Sequence, residues 1–511
     1  MTAAVRSRVA SAPASRVEPA GLPPFALAPV VAVAAGFFAL NLALAARYGY
    51  HRDELYFLAC AKRLAWGYVD QPPIVPAVTR LATVVFGRSV VGVRVFPALA
   101  GGALVVVVGL LAREMGGGRR AQLFGALLTV SSGLFLGGFH LMSTAAFDAV
   151  FWAVILLLVA RLLRTGDQRL WLAVGLVAGV GLLNKHNVLF CCLGLAIGLA
   201  LAGWRQQLRS PWLWAGGVLA LLIWAPNLVW NAQHQWAAWQ MLRSLHRENS
   251  TLSASIQFIP SQLLEVGPFT APFWIGGLLW LLRNPAGQRW RALGVGYLAL
   301  VVLFVAIGAK PYYLAGWYPV LFAAGGVHLD HRRHRPAGVA LHLALMAVQV
   351  VSSLPLALPV LPPSAIANPV NDKVNKELGA TVGWTRVTAQ VAAAYDRLSP
   401  DERTTAVILT ANYGEAGAVD HFGPALGLPP AISPHNNYWV WGPRAARDGA
   451  TTVAVGLTES ELRPYFAHIT RVGTLDTGYG IHTDEYGRPI YVCRGQLQPW
   501  PVMWARLKTF G

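Results

Sequence analysis

The sequence predicts a polytopic α-helical membrane protein that carries a small α/β domain toward its C-terminal end. Three observations predict it. Of 511 residues, 55% are hydrophobic and 13% are charged, whereas a soluble domain carries about 25% charged residues. Apolar runs near the ~20 residues needed to cross a bilayer recur along the first two thirds of the chain. After Pro363 those runs stop, and short strand-like stretches alternate with short helical ones.

Residues 1–24 begin with a stretch rich in Ala, Ser and Arg, and read as a disordered cytoplasmic tail. The run from Phe25 to about Ala46 is too long for a signal-peptide core and reads as a retained first span. Further spans are expected near 92–112, 121–140, 144–162, 170–185, 187–204, 212–230, 271–284, 292–309, 312–328 and 337–358, eleven in all. An odd number puts the two termini on opposite sides. Arginine clusters at 113–120, 161–169, 205–209, 283–291 and 332–335 then share one side with Arg6, Arg8 and Arg16 of the tail. The excess of positive charge places that side in the cytoplasm. The other, outer side receives the loop 47–91, the loop 231–270 and the domain 361–511. Residues 25–360 form the membrane domain between tail and outer domain.

The net charge of +18 does not point to nucleic acid, because the basic residues sit between apolar runs and form no single basic face. Anionic headgroups and phosphate-bearing substrates suit it better. Cys60, Cys191, Cys192 and Cys493 have no metal or disulfide spacing.

Loop 47–91 is more than a linker. Leu55, Leu58, Ala59 and Leu64 recur at helical spacing beside Lys62 and Arg63, which predicts an amphipathic helix lying on the membrane surface. Pro72-Pro73 stops it, and a second short amphipathic stretch runs from Ile74 to Phe86. In the last third, "TTAVILTANYG", "TTVAVGL" and "IYVCRG" read as strands. "GAVDHFGPALG" reads as helix and turn, and "TESELRPYF" as a capped helix.

Several polar residues at the outer face could carry chemistry. In "YGYHRDELYF", Asp53 and Glu54 follow closely on the first span, where charge beside hydrocarbon is costly. Asp53 could deprotonate or orient a hydroxyl, or it could simply cap the surface helix. Asp148, about one turn into the fourth span in "FHLMSTAAFDAVFWAV", needs a partner or a wet cavity. His140 lies across the tight loop from it. With Asp53 and Asp148 it could line a polar cavity or hold a divalent metal ion, although no ligand spacing marks a metal site. In "GAKPYYLAGWYP", Lys310 could meet a lipid-linked phosphate with Tyr312 and Tyr313 donating beside it, or it could snorkel in an aromatic belt. "LLNKHNVLF" sets Lys185, His186 and Asn187 in an interrupted apolar hairpin that can expose backbone to a cavity. Arg52, Lys62, Arg63, Arg243 and Arg247 add outer positive charge. In "DQPPIVP", the evident role of Asp70 and its neighbours is a rigid turn.

The segments "YGYHRDELYFLACAKRLAWGYVDQPPIVP", "LMSTAAFDAVFWAV", "LLNKHNVLF" and "AKPYYLAGWYP" occur in an order that resembles family 39 glycosyltransferases of the PMT/ArnT-like superfamily, with a GT-C fold. "TANYGEAGAVDHFG" is similar to a stretch in many bacterial members. The resemblance covers about residues 25–440. It implies an enzyme moving a sugar from a polyprenyl-phosphate donor, with inversion, to a periplasmic or lipid-linked acceptor at the outer face of the inner membrane. It implies Asp53 as the catalytic acidic residue, Glu54 as the second of an Asp-Glu pair, and Asp148 as a further acidic residue of the cavity. Lys310 would hold the donor phosphate, with Arg52 or Lys62. A divalent metal belongs to some relatives.

Two other readings fit less well. A secondary transporter predicts matched broken helices in inverted repeats, and only one interrupted hairpin is seen. A non-catalytic scaffold would bind lipid-linked sugar without turnover.

Overall fold

The computed structural model describes residues 21–249, 252–331, 336–368, 375–443 and 446–511. Residues 1–20 of the expected tail, the Arg332, Arg333 and Arg335 cluster, and the Arg247 side chain lie outside what is described.

The helical body runs α1 (Leu27–Leu44), α2 (Arg52–Ala61), α3 (Ile74–Phe86), α4 (Val90–Glu114), α5 (Arg119–Ser131), α6 (Gly133–Gly138), α7 (Thr144–Thr165), α8 (Leu170–Leu182), α9 (Val188–Leu201) and α10 (Pro211–Gln233). It continues through α11 (Ala237–Asn249), α12 (Leu252–Val266), α13 (Ala271–Arg283), α14 (Arg291–Ile307), α15 (Tyr318–Asp330) and α16 (Pro336–Ala357). Among the described residues, six helices are long and apolar enough to cross a membrane: α1, α4, α7, α10, the Pro285–Ile307 segment that contains α14, and α16.

Eleven were expected, and the difference has physical causes. The 121–140 run is broken at Ser132, whose backbone is extended between α5 and α6. The 170–185 and 187–204 runs are two helices, as expected, but α8 and α9 have only 13 and 14 residues. The 312–328 run opens with a tight 3-10 segment, Pro311–Trp317, before α15. Helices of 13 residues, such as α5, α8, α13 and α15, reach only about 20 Å, short of the ~30 Å hydrocarbon core. α15 is buried along almost its whole length and so packs against protein more than lipid. Small residues let the body close up: a Cβ at Gly175 of α8 would stand 2.1 Å from the Gly216 carbonyl oxygen of α10, the close backbone approach typical of helices packed in lipid.

The outer domain is built on β1 (Val407–Thr410), β2 (Ala431–Ile432), β3 (Thr452–Val455), β4 (Phe466–Thr474) and β5 (Pro489–Gln496). Their order is β2-β1-β3-β5-β4. β2, β1 and β3 are parallel, and β5 runs antiparallel to both β3 and β4. The three strands expected from sequence are β1, β3 and β5. β2 is too short to register as a pattern, and β4 is a mostly exposed edge strand without clean alternation. The capped helix at Thr458 is present, with a full capping box to Glu461.

The expected surface helix in loop 47–91 is α2, but it does not lie open on the membrane. Glu54 through Ala61 are all buried. Leu55, Tyr56 and Cys60 share one apolar core with Trp384, Val391, Ile408 and Val453 of the outer domain. The helix Tyr413–Phe422 covers α2, and a Cβ at its Gly417 would sit 3.0 Å from the Leu55 carbonyl oxygen. The pattern of α2 is amphipathic because one side meets the membrane body and the other meets this domain. α3 keeps an open apolar face, with Leu81, Val84, Val85 and Phe86 exposed, as an interfacial helix would.

Candidate active site

α2 begins immediately after the first span, and its N-terminus is tightly fixed. His51 is the N-cap: its Nδ1 accepts from the Asp53 backbone N–H at 3.1 Å. Glu54 reaches back to accept from the His51 N–H at 2.8 Å, completing a capping box. The other His51 nitrogen, Nε2, lies 3.0 Å from Glu377 Oε2, and the histidine holds the Glu377 carboxyl down to about 2.

Asp53 therefore does sit at a helix N-terminus, but the cap itself is His51, which leaves the Asp53 carboxylate available. Its side chain is 37% exposed. Oδ1 accepts from the Tyr413 hydroxyl at 2.8 Å, and Arg52 Nε lies 3.9 Å from the same oxygen. Arg52 also donates to Asp484 of the outer domain. Lys62, at the far end of α2, reaches the Asp420 carbonyl at 3.5 Å. Both cations are thus engaged by the outer domain.

Glu54 is differently placed, with no exposed surface. Arg94 of α4 grips it through Nε to Oε1 at 3.0 Å and Nη2 to Oε2 at 2.8 Å. The Met142 backbone N–H donates to Oε1 at 3.0 Å. Burial opposes ionisation of Glu54, but Arg94 and the two backbone donors outweigh it and hold the carboxyl below its ordinary range. His140, 2% exposed, lies with Nε2 3.4 Å from Arg94 Nη1. His140 is brought to this staple.

A second cluster gathers around the turn 183–187. Asp148 of α7, 5% exposed, accepts from Asn187 Nδ2 at 2.9 Å, and the same amide nitrogen reaches the Tyr313 carbonyl at 3.2 Å. The Lys185 ammonium stands 4.9 Å over the Tyr312 ring and 5.0 Å over the Tyr313 ring. It lies within electrostatic reach of both Asp148 and Lys310. Tyr312 in turn is within reach of the Asp53 and Glu377 charges, which links the two clusters. His186 is directed elsewhere, with Nε2 3.0 Å from Asn227 of α10.

Asp70 lies near this region on the "DQPP" turn. It accepts from the Tyr56 hydroxyl at 2.8 Å, and the Tyr56 ring lies 4.7 Å from Tyr413. Burial pushes Asp70 up to about 7, with the Tyr56 hydrogen bond opposing. Gln71 beside it is 3% exposed, and its side-chain amide has no hydrogen-bond partner among the described residues.

Among the described residues no three His, Cys, Asp or Glu side chains come together as a metal-holding group. Asp53 faces Tyr413 and Arg52, and Asp148 faces Asn187 and Lys185. Hydrogen-bond donors and cations around both carboxylates do not fit a divalent ion, and no chemical step is derived through one.

Sequence reading missed Tyr413, Arg94 and Glu377. The "TANYGEAGAVDHFG" stretch was the available signal for Tyr413. Asn412 at the end of β1 caps its helix, which aims the tyrosine at α2. Arg94, inside the 92–112 run, carried no local signal for its partner.

The same helix carries Glu415, a buried carboxyl that neighbours Glu485 of the turn before β5. Glu415 accepts from the Ala411 and Asn412 N–H groups at 2.9 and 3.3 Å. Burial, then the neighbouring Glu485 carboxylate, pushes it up to about 8, with Arg488 opposing. Glu485 is raised mainly by burial, with Arg52 opposing. The folded state keeps a proton on Glu415 that the unfolded chain releases near 4.5. Its contribution is therefore full below that pH and lost as pH rises through about 8. Glu415→Gln keeps an oxygen for the backbone donors, and it is expected to flatten the fall in melting temperature from about pH 6 to about pH 9. Thermal unfolding across that range checks this.

Residues 70–230 match the protein family described as dolichyl-phosphate-mannose-protein mannosyltransferase. An undecaprenyl phosphate-alpha-4-amino-4-deoxy-L-arabinose arabinosyl transferase of Pseudomonas fluorescens is 32% identical over 170 residues, spanning 30% of this chain and 29% of that relative's length. Among solved structures, ArnT from Cupriavidus metallidurans bound to undecaprenyl phosphate superposes with a TM-score of 0.61 at 17% identity, covering 91% of this chain and 97% of that one. The mycobacterial arabinofuranosyltransferase AftD gives a TM-score of 0.52 at 14% identity, covering 92% of this chain and 40% of that one. The chain thus has the fold of these two solved transferases, and its residues 70–230 are similar to the dolichyl-phosphate-mannose-protein mannosyltransferase family.

Proposed function

We propose that this protein is an inverting glycosyltransferase, taking a sugar from a polyprenyl-phosphate donor to an acceptor hydroxyl at the outer face of a bacterial inner membrane. The observation that carries the reading is the pairing of a part-exposed carboxylate, Asp53, with a neighbouring cluster of lysines and tyrosines around Asp148. One cluster offers a base, and the other offers a seat for a leaving phosphate.

Asp53 takes the proton of the acceptor hydroxyl as its oxygen bonds to the anomeric carbon. The bond from that carbon to the phosphate oxygen breaks, and its electron pair leaves with the lipid phosphate. Lys310 and Lys185 offset the charge that develops there, with Tyr312 and Tyr313 beside them. Asp148, through Asn187, sets the turn that carries Lys185. Gln71 has an amide available for a sugar hydroxyl. Glu54, His140 and Arg94 position α2. Arg52 and Lys62 join the outer domain to α2. The expected orientation puts the N-terminus in the cytoplasm and the C-terminal domain in the periplasm.

Lys310→Gln and Lys185→Gln are each expected to lower kcat/KM for the donor by about tenfold, the cost of a lost charge-assisted contact. The reading is tested with purified protein in nanodiscs and a panel of radiolabelled polyprenyl-phosphate sugars. Label released to water or acceptor by the native chain supports it. A folded protein that neither binds nor turns over any donor in the panel sinks it.

A further inference from the structure

Away from the two clusters, a groove of about 320 Å³ opens where α11 meets the outer domain, lined by Gln240, Arg243, Ser244, Lys508 and Phe510. That volume suits a small polar ligand, and none of the five lining residues is acidic. Lys508 is held in place: its ammonium donates to Gln240 Oε1 at 2.8 Å and lies 4.5 Å from the Trp439 ring and 4.3 Å from the Phe510 ring. The Arg243 guanidinium lies 5.1 Å over Trp239. Among the described residues, two cations therefore line one groove, each steadied by an aromatic ring and neither paired there with a carboxylate.

The surroundings indicate which anion fits. α10, long and apolar enough to cross the membrane, ends at Gln233, and α11 starts at Ala237, so the groove stands at the lipid–water boundary. Trp236, Trp239 and Leu242 are 52%, 52% and 53% exposed beside it. Exposed tryptophans next to basic residues are the pattern of an interface anchor. We infer that this groove binds the phosphate of an anionic phospholipid headgroup, with the acyl chains lying along Trp236, Trp239 and Leu242. The arginine fork grips the phosphate and Lys508 adds a point charge. A freely diffusing phosphate would use the same cations but would gain nothing from the apolar trio.

The test uses the full chain in phosphatidylcholine nanodiscs containing a minority of phosphatidylglycerol, with native mass spectrometry to read retained lipid. Arg243→Gln with Lys508→Gln is expected to weaken phosphatidylglycerol retention by about tenfold or more. Arg63→Gln, which removes another outer cation stacked on Trp441, should leave it unchanged. Arg243→Gln alone, at an exposed position, should weaken retention even if the double variant does not fold. Inorganic phosphate should fail to displace the lipid. Retention equal to the native protein in the folded charge variants, or ready displacement by inorganic phosphate, overturns the assignment. Sugar transfer is not the readout, so this result stands apart from the proposed activity.

Discussion

Asp53→Asn is expected to reduce sugar transfer by about 10²- to 10⁴-fold, the usual contribution of a positioned general base, while donor binding and thermal stability stay close to native. The asparagine keeps an oxygen for the Tyr413 hydroxyl, which now donates at 2.8 Å, so the geometry survives and only the basic group is lost. Tyr413→Phe provides the companion measurement. It leaves Asp53 charged but removes the bond that orients it, and it should cost about tenfold. Single-turnover transfer from labelled donor separates these effects from binding. Transfer by Asp53→Asn within about threefold of the native protein would remove Asp53 from the role of base and turn attention to Asp70, which burial pushes up to about 7.

The parts legible in the sequence were those encoded locally. Apolar runs marked the helical body, and Asp53, Asp148, Lys185 and Lys310 stood out because charge beside hydrocarbon needs a reason. The count of spans was less legible. Hydropathy sums over a run and does not see Ser132, where the backbone leaves the helix. Partners far apart along the chain were not legible either. Tyr413 meets Asp53 across 360 residues, and Glu377 meets His51 across 326. Nothing in the local pattern of α2 tells whether its amphipathic face meets lipid or another domain, since both are apolar. The resemblance implied Glu54 as the second of an Asp-Glu pair with Asp53. On a helix, adjacent residues point about 100° apart, and that rotation puts Glu54 into the interior.

Arg94→Met is expected to destabilise the protein by about 3–5 kcal/mol, because it strands the Glu54 carboxylate in a buried site. Arg94 does more than neutralise a charge. Nη1 donates to the Ala45 carbonyl at 2.7 Å and Nη2 to the Gly49 carbonyl at 2.8 Å, so one side chain ties the end of α1, the following turn and α2 to α4. A lysine cannot span those acceptors, and Arg94→Lys should recover little of the loss. The double variant Glu54→Leu with Arg94→Met should be more stable than Arg94→Met alone, since the stranded charge has gone. Thermal unfolding of the native protein, Glu54→Leu, Arg94→Met and the double variant in one detergent gives the coupling. Transfer then distinguishes positioning from chemistry. Glu54 holds the Met142 N–H, just ahead of the helix that bears Asp148, so it joins the helix of one acidic residue to that of the other. Glu54→Gln should lower turnover through small misplacement but leave the pH profile of transfer unchanged in shape, whereas a residue that exchanges the proton itself would change it. A Glu54→Gln profile that loses its acid limb would mean that the buried carboxylate takes part in the proton transfer, and the staple would have to be read as part of the catalytic machinery.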